Sequence, residues 1–82
     1  MLIKYGIRNN NIDVTDICMK NLKRGNEIII PKGDLVRASY FTDPLYGVLK
    51  SVFINIQDDI KEYKDDCLVR IDLTKRSGIL RG

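Results

Sequence analysis

The run VLKSVFINI, residues 48–56, decides the fold class of this chain. Val48, Val52, Ile54 and Ile56 fall on one side of an alternating pattern, interrupted only by Lys50. Leu49, Ser51, Phe53 and Asn55 fall on the other. Side chains of a β-strand point to opposite faces in turn, so a period of two with one apolar side is a strand lying on a core. The second side is itself half apolar. Leu49 and Phe53 therefore need cover from a second sheet, a helix or another subunit, and they are the candidate oligomer interface.

Immediately upstream, Asp43-Pro44 and Gly47 spell a turn. Proline holds φ near −65°, as the second position of a type I turn requires, and aspartate before it accepts a backbone hydrogen bond. Glycine can then take φ > 0 and lead the chain into the strand. Asp43, Pro44 and Gly47 read as architecture, and Asp43 and Tyr46 are the residues there that could reach a ligand.

Working outward, CLVRIDL (67–73) repeats the alternation, with Cys67, Val69, Ile71 and Leu73 on the apolar side. The acidic DDIKEYKDD (58–66) reads as the hairpin loop joining these two strands, or as a ragged extra strand. Toward the N-terminus, LIKYGI (2–7) alternates as a half-buried strand and RNNN reads as a turn. Val14, Cys18 and Leu22 recur at i, i+4 and i+8, with Ile17 beside them, which predicts a short helix at about 14–24. Asp13 or Thr15 would cap its start and Gly25 its end. EIIIP (27–31) is a β-branched strand closed by Pro31, and KGDLVRASYFT, with no clean period, reads as a long loop or a loop with a short edge strand. The sum is a mainly β domain over residues 1–74, a small antiparallel sandwich or barrel with one short helix, followed by a basic C-terminal tail at 75–82.

At 82 residues the chain is near the lower size limit for independent folding. Its stability should be roughly 4–12 kcal/mol at ~0.05–0.15 kcal/mol per residue. Small cores of this kind often gain from a partner surface, which favours a homo-oligomer, a dimer or larger. No apolar run is long enough to span a bilayer and the start lacks a signal-peptide layout, so no membrane association and an intracellular setting are expected. Cys18 and Cys67 lie far apart and histidine is absent, which excludes the usual zinc spacings and histidine-dependent triads. Two reduced thiols fit a reducing compartment better than one long-range disulfide.

The net charge is +3, but residues 58–66 hold five of the eleven acids and two of the fourteen bases. Asp58-Asp59 and Asp65-Asp66 neither converge as a glycosidase pair must nor match a calcium loop. Lys20, Lys23 and Arg24, at i, i+3 and i+4, would share one face of the predicted helix, where its dipole already favours cations. With Lys75, Arg76 and Arg81 they reach six bases, the lower end of the ~6–10 phosphate contacts that useful nucleic-acid affinity takes. Tyr5, Tyr40, Phe41 and Tyr46 could stack bases. The chain lacks a Gly-x-Ser-x-Gly, a phosphate-binding glycine loop and a cysteine with an evident base. Neither catalysis, nor a small-molecule substrate, nor a cofactor is expected.

One set of residues stands in a familiar order: Tyr5-Gly6, then Asp13-Val14-Thr15, then Asp43-Pro44-x-x-Gly47 followed by Lys50. This order, over residues 3–56, resembles a small β-domain found at the C-terminal end of DnaJ-like proteins of the subfamily C member eleven type, and free-standing in bacteria and large DNA viruses. The resemblance implies a module that binds or assembles without catalysis, and the Ile-, Asn-, Lys- and Asp-rich wording adds a viral or virion protein to the expectations. It draws attention to Lys50, which would snorkel to the sheet edge or pair with an acid such as Asp43 or Asp13. A self-associating structural module is thus the first expectation. Nucleic-acid binding through Lys20, Lys23, Arg24 and the tail is the second, and a carbohydrate-binding module using exposed tyrosines the third.

Overall fold

The computed structural model describes residues 1–42, 47–74 and, for the backbone, 79–81. The chain is mainly β, as the alternating runs require: two antiparallel sheets and two short helices. In chain order the elements are β1 (Leu2–Ile7), β2 (Asn10–Asp13), α1 (Thr15–Asn21), β3 (Lys23–Arg24), β4 (Glu27–Ile30), α2 (Asp34–Phe41), β5 (Ser51–Ile56), β6 (Asp59–Tyr63), β7 (Val69–Asp72) and β8 (Ile79–Arg81). One sheet has the order β2-β1-β5-β6 and the other β3-β4-β7-β8.

The decisive run behaves as its period demands where it is paired. In β5, Val52 and Ile54 are wholly buried, while Phe53 and Asn55 are half-buried on the outer face. Its inner residues meet Ile3 and Tyr5 of β1, which are also wholly buried. The second sheet contributes Ile28, Ile30, Val69 and Ile71 to the same core, and Val14, Cys18, Leu22 and Phe41 fill it from the helical side.

Several expectations are corrected. The strand starts at Ser51, so Val48 and Leu49 lie before it and are exposed rather than alternating in and out. The acidic segment is not a hairpin loop between β5 and β7, because those strands belong to different sheets. The alternative reading, an extra strand, holds instead: Asp59–Tyr63 return along β5 from a two-residue turn. RNNN is a turn only at Arg8-Asn9, since Asn10 and Asn11 already pair with β1. Gly6 explains that early pairing: with φ +150°, a Cβ there would stand 2.3 Å from the Asn10 carbonyl oxygen and 2.6 Å from the Asn11 Cα.

The predicted helix ends at Asn21, short of 24, because Leu22 turns inward and Lys23-Arg24 pair with Ile28 and Glu27. Segment 34–41, read as a loop, is a second helix. Its inward residues are Asp34, Arg37, Ala38 and Phe41, a sound i, i+3, i+4, i+7 stripe with two charges in it. An apolar period fails to register there because half of the stripe is not apolar. Within the expected tail, Ile79–Arg81 pair with β7. The turn residues Asp43 and Pro44, together with Tyr46, Lys75 and Arg76, lie outside the described residues. Gly47 has φ +81°, in the left-handed region expected of it.

Candidate functional site

Chemistry-bearing side chains gather under α2. Asp34 opens the helix, Tyr5 reaches it from the inner face of β1 and Lys50 from the approach to β5. The Lys50 Nζ donates to Asp34 Oδ2 at 2.9 Å and to the Val48 carbonyl, and its backbone N–H donates to Asp34 Oδ1 at 3.3 Å. The Tyr5 hydroxyl donates to the same carboxylate and lies 3.1 Å from the Asp34 carbonyl oxygen. Lys50 is 2% exposed, and its ammonium lies 5.8 Å from the centre of the Tyr5 ring. Phe41 packs tilted against the same ring, at 5.2 Å between centroids. Lys50 therefore does not snorkel to the edge; among the described residues its acid is Asp34, not Asp13.

Desolvation is the largest single influence on the Asp34 carboxyl and pushes its pKa up. Hydrogen bonds from Tyr5 and Lys50 and the charge of Lys50 outweigh it, holding the group below the usual carboxylate range. The result is a buried ion pair whose remaining lone pairs are met by further donors, the condition under which such a pair is tolerated.

Arg37 stands one turn further along α2 and is wholly buried. Its Nε donates to the Pro31 carbonyl at 2.7 Å, Nη1 to the Lys64 carbonyl at 3.0 Å and, more weakly, to that of Tyr63 at 3.4 Å, and Nη2 to the Cys67 carbonyl. Burial draws the guanidinium pKa down, opposed by Tyr5, Asp65, Cys67 and Asp34. A planar fork with five donors suits such a cage of divergent carbonyls. It ties the end of β4 to the loop that carries the chain from one sheet to the other.

Asp13-Val14-Thr15 does a similar job at β1. The Thr15 N–H and hydroxyl donate to Asp13 Oδ1 at 2.9 and 2.7 Å, which holds the Asp13 carboxyl below its ordinary range. The Val14 N–H donates to the Ile3 carbonyl at 2.8 Å, and the Ile3 N–H to the Thr15 hydroxyl at 2.9 Å. Cys18 and Cys67 are free thiols, and burial, aided by the charge of Asp13, pushes the Cys18 thiol up to about 12.

The exposed surface differs from these networks. Beside Asp34 lies an open groove of about 510 Å³ whose apolar walls are Leu35, Val36, Val48 and Leu49. Leu35 is 86% exposed and Leu49 71%. Phe53 is not next to Leu49 on one strand face. It lies further along β5, across from Lys4 and Glu62, in a smaller depression of about 410 Å³ that also includes Ile60. A third depression runs between the two, sharing Leu49 with the first and Arg8 and Glu62 with the second. The two predicted interface residues thus sit at opposite ends of one continuous face.

The basic residues do not form the cluster expected of them. Lys20, Lys23 and Arg24 are exposed, but only Lys20 is on α1. Lys23 and Arg24 are neighbours on β3, where adjacent side chains point to opposite faces. Arg81 is on β8, at the far edge of the same sheet, roughly 14 Å away at ~4.8 Å per strand. Of the candidate stacking rings, Tyr5 and Phe41 are buried and Tyr40 is exposed. Tyr63 is buried as well, so among the described tyrosines Tyr40 is the one at the surface.

Sequence reasoning missed Asp34 and Arg37 altogether. The signal was Lys50, a charge on an apolar strand face that had either to reach the sheet edge or to meet an acid. Among the described residues no group of three His, Cys, Asp or Glu side chains could hold a metal ion, and no helix is long and apolar enough to cross a membrane. Compared with family models, curated proteins and solved structures, the chain matches none of them.

Proposed function

We propose that this chain is a non-catalytic interaction module that associates with copies of itself and serves an assembly or structural role, in an intracellular or virion setting. The observation that carries this reading is the contrast between its polar and apolar side chains. Tyr5, Asp34, Arg37 and Lys50 are turned inward on one another and on backbone carbonyls, where they hold elements together. Leu35 and Leu49 stand in water beside a groove. Exposed apolar side chains clustered in this way mark interaction surfaces. The resemblance of Tyr5-Gly6, Asp13-Val14-Thr15 and Gly47…Lys50 to the DnaJ-associated β-domain points the same way. Nucleic-acid binding draws less support, because Lys23 and Arg24 lie across a sheet from Arg81.

Sedimentation equilibrium from ~10 μM to ~1 mM tests the proposal. The expected result is a reversible dimer or larger, which Phe53→Arg weakens while far-UV circular dichroism stays native. A strict monomer over the whole range removes the reading, and so does retention of a short DNA or RNA duplex at low salt by a chain that never self-associates.

A further inference from the structure

Building on that self-association, we propose where it occurs: the outer edge of β6 pairs antiparallel with the same edge of a second copy, about a two-fold axis at Ile60. At five residues β6 is the longest edge strand described, against four in β2, three in β8 and two in β3. It follows β5 through Gln57 and Asp58, which have φ +51° and +67°. Two consecutive left-handed residues make a type I′ hairpin turn, and the residues flanking such a turn, Ile56 and Asp59, exchange both hydrogen bonds. From there the ladder alternates. Asp59, Lys61 and Tyr63 bond inward to β5, while the N–H and C=O groups of Ile60 and Glu62 point out of the sheet, with no partner strand among the described residues.

Such an edge is a template for another strand, and charge decides which one fits. A two-fold axis at Ile60 lets each Ile60 exchange both outward hydrogen bonds with its counterpart. It sets Asp59 opposite the partner's Lys61 and Lys61 opposite the partner's Asp59. Opposite charges directly across a strand pair are favourable. Shifting the axis to Lys61 would gain backbone bonds but would place two ammonium groups face to face and Ile60 against a glutamate. The two Asp59–Lys61 cross-pairs therefore favour this register over the one centred on Lys61, and Glu62 comes opposite the partner's turn residue Asp58 rather than another strand residue. Within the chain, Lys61 Nζ and Asp59 Oδ2 are 4.0 Å apart with side chains 59% and 70% exposed, a loose solvated pair that can exchange partners at little cost. On the outer face Ile60 is 65% exposed and lies diagonal to Phe53. The axis would join two such patches into one apolar strip across an eight-stranded sheet.

Two charge reversals test this register. Asp59→Lys and Lys61→Asp each turn both cross-pairs repulsive, and each alone should raise the dissociation constant about tenfold or more. Mixed in equal amounts, the two variants should form a heterodimer of wild-type affinity. Hydrogen exchange of the Ile60 amide should slow as wild-type concentration rises. Both positions are solvent-exposed, so native circular dichroism is expected and is checked for each variant. A dimer that survives in both single variants, or a mixture that stays monomeric with native spectra, overturns the β6 pairing while self-association stands. A wild-type monomer throughout removes self-association itself.

Discussion

Arg37→Met is the sharpest probe of how this small core is held. The guanidinium is wholly buried and donates to four carbonyls from two separate stretches of chain, Pro31 after β4 and the segment from Tyr63 to Cys67. Methionine keeps most of the stem volume and removes every donor. The Pro31 carbonyl then loses the donor it has at 2.7 Å, and the Cys67 and Lys64 carbonyls each lose a charged one. A hydrogen bond to a charged group contributes about 1.5–3 kcal/mol. Breaking a buried charged network costs about 3–5 kcal/mol, since the stranded groups stay desolvated. Three short bonds at the low end give about 4.5 kcal/mol, and relief from burying the cation takes back part of that. A net loss of about 3 kcal/mol follows, a large share of a total of roughly 4–12 kcal/mol. Urea unfolding followed by circular dichroism would show it as a midpoint lowered by roughly 2–3 M at a slope of ~1–1.5 kcal/mol per M. Arg37→Lys keeps the charge but cannot span carbonyls at 31, 64 and 67 together, and should lose at least about 1.5 kcal/mol. A cost below ~1 kcal/mol for Arg37→Met, or a neutral Arg37→Lys, refutes the idea that the fork fastens the two sheets.

Two further outcomes test other joints of the fold. Gly6→Ala puts a methyl group 2.3 Å from the Asn10 carbonyl oxygen at a φ of +150°, and should cost about 2–4 kcal/mol. Differential scanning calorimetry would read that as a Tm lowered by roughly 10 °C or more, and a shift under ~3 °C would mean that β1 and β2 are not in this register. For Cys18, a folded pKa of about 12 against an ordinary 9.0 means that the unfolded chain ionises first as pH rises. Stability from this group is therefore complete below about pH 9 and is lost as pH climbs from 9 toward 12. At pH 8 a disulfide reagent should label the half-buried Cys67 quickly and Cys18 only as fast as the chain unfolds; equal rates would contradict the burial of Cys18.

The strands were legible because their signal is local. Val52 and Ile54 face inward for the same reason that Ile3, Tyr5, Val69 and Ile71 do, and a period of two needs only four or five residues to show. The two-residue β3 and the polar β2 carry no such period and exist because neighbours offer hydrogen bonds to them. The α2 helix was illegible for a different reason. Its inward stripe of Asp34, Arg37, Ala38 and Phe41 is apolar only by half, and the two charges are acceptable there because Lys50, Tyr5 and distant carbonyls meet them. The interface candidates were half legible. Phe53 lies on the outer face that alternation assigns it, whereas Leu49 was assigned to a strand that begins two residues later.

The sequence by itself determined that the chain is mainly β, which residues of its main strands are core, that Gly47 suits a left-handed turn, and that Lys50 has either to reach the sheet edge or to meet an acid. Each of these follows from short-range geometry or from the cost of burying a charge. Tertiary structure alone decided that Asp34 meets Lys50, that β5 and β7 belong to different sheets, that Lys23 and Arg24 leave the helix for a strand, and which strand edges have no partner strand among the described residues. Most of those outcomes depend on contacts between residues far apart in the chain, such as Lys50 with Asp34, 16 positions away, and Arg70 with Glu27, 43 away, whereas Lys23 and Arg24 pair with the nearby Ile28 and Glu27. No local pattern encodes such partners, because a carbonyl or carboxylate becomes one only when the fold has brought it within reach.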